Sequence, residues 1–253
     1  MGIALDFTRA CPVALAALAL TSGCGPARVS VGDDRSPVTI PDAGGGLDSV
    51  GFDAGSIRTG LLSVVGISNC SNVIASGLAP HPGWSPTVNI CGLSNAVYWQ
   101  SGMDVVCDGV MTTTCNKITD PSYQSQTLAK DSYGNSLDAA AVPYVEVSQR
   151  TTTFDYTKAG LQMGSVVAVL YQTQIAFGII GNEGGIADVI GDASYAMANA
   201  VGVLPDPVNG GIETGVTYIA FTGTSNVVTK NEDHAEALRL GEAAAATLIR
   251  AGM

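Results

Sequence analysis

Positive charge is scarce in this chain: Lys and Arg number 11 against 22 Asp and Glu, for a formal net charge of -11. A surface of that sign repels phosphate backbones, which argues against nucleic-acid binding, and attracts a cationic polymer. Charge of either sign is thin, at 13% of residues against 46% hydrophobic, which excludes a disordered chain. The two histidines, His81 and His234, are too isolated for a Ser-His-Asp triad, and no Gly-x-Ser-x-Gly elbow occurs. Neither a Cys-x-x-Cys pair nor clustered His is present, so zinc is not indicated and no cofactor is implied. The apolar stretch from Pro12 to Leu20 is too short to span a bilayer.

What is present is glycine, 31 residues of it, with 11 prolines to make turns, and a length of 253 that suits one medium domain plus a targeting segment. Residues 1–23 read as a signal peptide: Arg9 precedes the apolar core, which ends at Thr21-Ser22-Gly23-Cys24. The small residues before Cys24 match a lipoprotein cleavage site, so Cys24 is the expected lipidated residue, with ordinary secretion as the alternative. Either way the protein is expected outside the cell or on its surface, touching a membrane only through that anchor. Residues 24–55, rich in Gly, Pro, Asp and Ser without a sustained period, read as a flexible linker.

From Ser56 onward, short β-rich runs alternate with Gly, Pro, Asn and Asp. They are Leu61 to Ile67, Val73 to Ser76, Ala96 to Gln100, Tyr144 to Val147, Val166 to Tyr171, Ile175 to Ile180 and Thr217 to Phe221. This cadence indicates a barrel or a sandwich, not alternating β-α units. Asp192 reads as the N-cap of a helix ending at Gly202, and Asn231 as the cap of a last helix with Glu232 and Asp233 in its first turn and Arg250 in its last. With Cys11 in the signal and Cys24 assigned to lipid, Cys70, Cys91, Cys107 and Cys115 remain, and three pairings are possible. The segment from Gly181 to Gly202 packs Asn182, Glu183, Asp188 and Asp192 between an apolar strand and a small-residue helix, where a rigid scaffold can aim side chains.

That segment resembles the core of the fungal-type chitosanases, glycoside hydrolase family 75. Met103-Asp104-Val105-Val106-Cys107-Asp108-Gly109 is similar to the family's Met-Asp-x-Asp-Cys-Asp-Gly. Asn69 to Gly77, Ile90-Cys91-Gly92, Leu137-Asp138-Ala139 with Pro143-Tyr144-Val145, and Ile219 to Gly223 agree in order and spacing. The likeness spans about Ser56 to the C-terminus, so 56–253 reads as a chitosanase-like catalytic domain. The stretch from Asp192 to Gly202 also resembles the strand-loop-Asp-x-Ser-helix signature of double-psi β-barrels. The expected fold is therefore mainly β, a double-psi β-barrel-like domain with a few appended helices. The resemblance, with sequence proximity, favours pairing Cys70 with Cys91 and Cys107 with Cys115, each worth about 2 to 3 kcal/mol.

The resemblance implies endo-acting cleavage of β-1,4 glucosamine linkages in chitosan, a cationic polysaccharide, by an inverting mechanism with paired carboxylates. Where the family carries its catalytic Asp and Glu, this chain has Asn182 and Asp192. Asp192 is the expected acid. Asn182 cannot be an ordinary base because an amide does not ionise at neutral pH, so Asn182 or its neighbour Glu183 is expected to handle the water. The plainer readings are a turn residue for Asn182 and an exposed loop charge for Glu183. Asp104 and Asp108 are candidates for contacting glucosamine ammonium groups, or else for capping a disulfide loop; the stretch supplies too few oxygens for a calcium loop. Trp84, in the loop from Pro80 to Pro86, is the candidate for stacking on a sugar, while Trp99 is expected in the core. The competing reading is a carbohydrate-binding domain of the same fold that keeps the cleft but is catalytically weak or inactive.

Overall fold

The computed structural model describes residues 53–252. The expected signal peptide, the lipidated Cys24 and most of the expected linker lie outside them. Helix α1 (Ala54–Ser68) is followed by strands β1 (Val73–Leu78), β2 (Val88–Gly92), β3 (Ala96–Val106), β4 (Tyr144–Val147), β5 (Val166–Tyr171), β6 (Gln174–Glu183) and β7 (Asp192–Ser194). Helix α2 (Tyr195–Val201), strand β8 (Ile212–Phe221) and helix α3 (His234–Gly252) complete the domain.

The strands form one sheet in the order β1-β2-β3-β7-β4-β6-β5-β8, and β3 pairs again with β8. That second pairing closes a six-stranded barrel, β3-β7-β4-β6-β5-β8, which removes its sheet edges; β1 and β2 continue outward from β3. Two pairings, β3 with β7 and β4 with β6, are parallel. The fold is mainly β, a barrel with appended helices, as expected.

Strands β5 and β6 are buried on both faces along most of their length, which is why they read as apolar runs. In β5, Val167 and Val169 point into the barrel with Trp99, Tyr218 and Ile180, while Val166, Ala168 and Leu170 pack outward with α1 and α3. Trp99 is buried and stacks on Tyr218 with ring centroids 5.1 Å apart, a contact worth about 1 kcal/mol beyond its area. The reading of Trp99 as core agrees with this placement.

Three local expectations are corrected. Leu61 to Ile67 is helix, not strand: Asp53 caps the segment by accepting the Ser56 N–H at 2.8 Å, and Ile57, Leu61, Val64 and Val65 fall on one buried helical face. The cap of α2 is Ser194, whose Oγ accepts the Met197 N–H, so Asp192 stays in β7 with its carboxylate free of capping. The cap of α3 is Asp233, which accepts the Glu236 N–H at 2.9 Å, whereas Asn231 donates its side-chain N–H to the Lys130 carbonyl. Gly202 does end α2, in the left-handed conformation.

Cys70 pairs with Cys91 and Cys107 with Cys115, the arrangement favoured above. Two disulfides place folding in an oxidising compartment, as outside the cell. Among the described residues no helix is long and apolar enough to cross a membrane.

Candidate active site

Four neighbouring strands, β3, β7, β4 and β6, carry a row of polar side chains on the outer face of the barrel. Side chains alternate along a strand, so with Val105, Ala193 and Val145 turned into the barrel, Asp104, Asp192 and Glu146 turn out; Asn182, two residues after the inward Ile180, joins them only through a bulge. The register aligns them: Asp104 pairs with Asp192, Val145 with Ala193, and Glu146 with Asn182. The last pairing depends on a bulge. Val145 lies opposite Ile180 but Glu146 opposite Asn182, so Gly181 is the extra residue and re-aims Asn182 toward Glu146. Only glycine fits there, since a Cβ on residue 181 would fall 2.6 Å from Cγ of Tyr144.

The long connection between β3 and β4 supplies the opposite wall. Its start is stapled by Cys107–Cys115, Asp120 accepts the Cys107 N–H at 3.0 Å, and Asp108 accepts the Gln124 N–H at 2.7 Å. Between wall and barrel lies a cleft of about 560 Å³ lined by Asp104, Asp108, Asp120, Glu146 and Asp192, together with Val189 and Ile186. Among the described residues no group of three or more His, Cys, Asp or Glu is arranged to hold a metal ion.

Crowding of carboxylates with little water raises their proton affinity. Burial, then the charges of Asp104 and Asp108, push Asp192 up to about 7, against the pull of His81. Burial also pushes Asp108 up to about 6, aided by the charge of Asp120 and opposed by the Gln124 N–H. Glu146, only 2% exposed, is raised well above the usual carboxylate range, first by burial and then by Asp192. Asp192 is therefore able to hold a proton near neutral pH, as a general acid must.

Two further cavities continue the cleft. One, of about 400 Å³, shares Asp104 and adds His81, Trp84 and Glu213; the other, of about 460 Å³, shares Asp108, Gln124 and Gly185 and adds Gln149, Asn182 and Glu183. His81 Nδ1 lies 2.8 Å from Asp104 Oδ1 and Nε2 lies 3.2 Å from the Glu213 carbonyl. Both ring nitrogens thus face acceptors, which favours the doubly protonated cation. Burial lowers the ring's proton affinity, but the bond and charge of Asp104 outweigh it and the net shift is upward. The Trp84 ring, 47% exposed, meets His81 edge-on at 4.7 Å.

The structure brings Asp104, Asp108 and Asp192 into one cleft and places Trp84 at one end of the run. Asn182 and Glu183 stand at the other end, each already engaged. Asn182 is buried, donates to Glu146 Oε1 at 2.9 Å and accepts the Leu128 N–H at 2.9 Å. Glu183 Oε1 accepts from Arg150 Nε at 3.0 Å and from the Tyr156 hydroxyl at 2.8 Å. Sequence reasoning missed Glu146, Asp120 and His81. Glu146 lies in a strand whose other three residues are apolar or aromatic, Tyr-Val-Glu-Val, and that lone acid was the available signal.

Residues 103–245, more than half of the chain, match the family described as fungal chitosanase of glycosyl hydrolase group 75, and the chain belongs to that family. It is similar to an endo-chitosanase of Aspergillus oryzae (strain ATCC 42149 / RIB 40), with 32% identity over 163 residues, 56% of this chain and 66% of the relative. A second Aspergillus oryzae endo-chitosanase matches to the same extent. The chain thus spans just under two thirds of the length of these curated relatives.

Proposed function

We propose that the protein is an endo-acting chitosanase that cleaves β-1,4 glucosamine linkages with inversion. The observation that carries this reading is the carboxylate row in a cleft whose neighbouring cavities share lining residues on either side, an arrangement that suits an extended polymer. Asp192 is the proton donor to the glycosidic oxygen. Asp104 and Asp108 receive the ammonium groups of neighbouring sugars, an electrostatic match that the chain's net charge of -11 extends over the surface. Trp84 stacks on a sugar face at one end. The N-terminal reading joins this proposal: secretion, with Cys24 as a lipid anchor, tested by detergent partition of the full chain against Cys24→Ser.

The second reading, a binding domain of the same fold with little or no activity, is favoured by one observation: residue 182 is an amide. A viscosity and reducing-end assay on chitosan, run beside binding to immobilised chitosan, separates the two. A rapid fall in viscosity supports the hydrolase, and retention on chitosan without cleavage supports the binding domain. Loss of both overturns the substrate assignment.

A further inference from the structure

Glu146 is a carboxyl group in a strand whose neighbours are all buried, and it is costly there. Among the described residues no Lys, Arg or His lies within ion-pair distance of it, and its one hydrogen-bond partner is the Asn182 amide. An apolar side chain would stabilise the barrel more, because a buried acid without a cation forfeits its hydration for little return. Yet Glu146 lines the same cleft as Asp192. Gly184 fixes their relation: a Cβ on that residue would lie 3.1 Å from Asp192 Oδ2 and 3.9 Å from Glu146 Oε2. The two oxygens are therefore within about 7 Å of one another, the sum of those distances, and a bare glycine backbone leaves the space between them clear.

We propose that Glu146 is the carboxylate that works opposite Asp192, taking the proton from the attacking water that the amide at 182 cannot take. The proposal rests on the chitosanase reading. Their carboxyl oxygens lie no more than about 7 Å apart, which overlaps the roughly 6.5 to 9.5 Å of an inverting pair at its short end, so the configuration of the product decides whether a water fits between them. Glu183, by contrast, has its Oε1 held by Arg150 and Tyr156.

The proton distribution follows from the neighbours. Two acids this close share one proton near neutral pH and titrate as a pair. Burial is the main reason Glu146 is raised, with Asp192, Asp108 and Asp120 adding to it; when Asp192 holds the proton its own share of that repulsion is gone, and the Asn182 N–H still points at Glu146 Oε1, a bond that favours the ionised form. Asp108 raises both acids, whereas Asp104 acts on Asp192 and not on Glu146, which favours the proton on Asp192. In the reaction, water attacks the anomeric carbon and gives a proton to Glu146, while the glycosidic C–O bond breaks and its oxygen takes the proton of Asp192. No charge or electron is left over, and solvent returns the proton from Glu146 to Asp192. Asn182 is a positioning residue in this scheme.

The test is hydrolysis of chitosan by wild type, Glu146→Gln, Glu146→Asp and Glu183→Gln, with azide added to each. Glu146→Gln is expected to lose about a hundred- to ten-thousandfold in rate while melting no lower than wild type and still binding chitosan. Azide, a nucleophile that needs no deprotonation, is expected to restore turnover in that variant alone and to give a glycosyl azide of inverted configuration. Should Glu146→Gln fail to fold, Glu146→Asp, which keeps the charge but withdraws it by one C–C bond, is expected to fold and lose at least tenfold. Glu183→Gln should retain most of the rate. An active wild type with an equally active Glu146→Gln overturns the role of Glu146 alone; an inert wild type overturns the hydrolase reading together with it.

Discussion

Asn182 and Glu146 form a directed pair: the amide N–H of Asn182 points at Glu146 Oε1 at 2.9 Å, and its carbonyl takes the Leu128 N–H at 2.9 Å. Asn182→Asp therefore keeps the bond from Leu128 and loses the one to Glu146, setting a second carboxylate against it. The sequence alone invites the opposite expectation, that an acid at 182 supplies a missing base. The geometry predicts a loss of about 2 to 4 kcal/mol in stability at pH 8 and no gain in chitosan hydrolysis, because an uncompensated buried charge is costly. Denaturant melts and initial rates check both, and a tenfold gain in rate would return the base to position 182.

Asp192→Asn separates chemistry from capping, since Ser194 carries the cap of α2. Hydrolysis should fall about a hundred- to ten-thousandfold with chitosan binding intact. Stability should move the other way. The folded-state value of Asp192 is raised, to about 7 from 3.8, so its contribution is fully present below about pH 4 and is lost as pH rises toward 7. The variant should thus melt like wild type at pH 4 and higher at pH 8, by at most about 4 kcal/mol, given roughly 1.4 kcal/mol per tenfold change in proton affinity. Equal melting at both pH values would show that Asp192 is not buried against its neighbours.

The parts of this site that could be read in the sequence are those whose signal is local. The bounds of β4 and β5 are legible to the residue because β-branched runs flanked by Pro143 and by the Gln172 turn leave little choice. Those of α1 are not, because Leu-Leu-Ser-Val-Val-Gly-Ile is a short apolar run that periodicity alone cannot assign to helix or strand. β7 has three residues and exists only through its pairing with β3 and β4, contacts distant in sequence. Glu146 is hidden for the same reason: in isolation it is the solvent-facing residue of an alternating strand. Its burial comes from Asn182 beside it and from the connection of β3 to β4, whose Asp108, Asp120 and Gln124 share its cleft. His81 gained its role when Asp104 and the Glu213 carbonyl were brought to it across 23 and 132 positions of chain.

His81 sets both the charge and the shape of one end of the groove. Its cation lowers the proton affinity of Asp192, and its ring meets Trp84 edge-on. His81→Gln should shift the alkaline limb of the pH–rate profile upward by up to about one unit, as expected for a lost unit charge some distance away in a protein interior. KM for chitosan should rise several-fold as the Trp84 loop loosens, while Trp84→Ala should raise KM without moving the pH profile. Profiles that coincide for wild type and His81→Gln would remove the histidine from the electrostatics of the cleft.

The anomeric form of the first product decides which chemistry the Glu146–Asp192 spacing supports. Family resemblance implies inversion, and a pair separated to hold a water would release the α-anomer from a β-linked chain. A pair about 5 to 5.5 Å apart would instead let Glu146 attack the sugar carbon directly and release the β-anomer after a covalent intermediate. The limit of about 7 Å set through Gly184 is a maximum that allows either spacing, and residue 184 contributes no side chain to the space between the two oxygens. Proton NMR of chitosan oligomers, recorded faster than the sugar mutarotates, is expected to show the α-anomer first. Gly184→Ala should abolish most of the rate by placing a methyl group about 3 Å from Asp192 Oδ2, where the water and the anomeric carbon must fit, with little change in melting. Early accumulation of the β-anomer would replace the water-activating role of Glu146 with a covalent one.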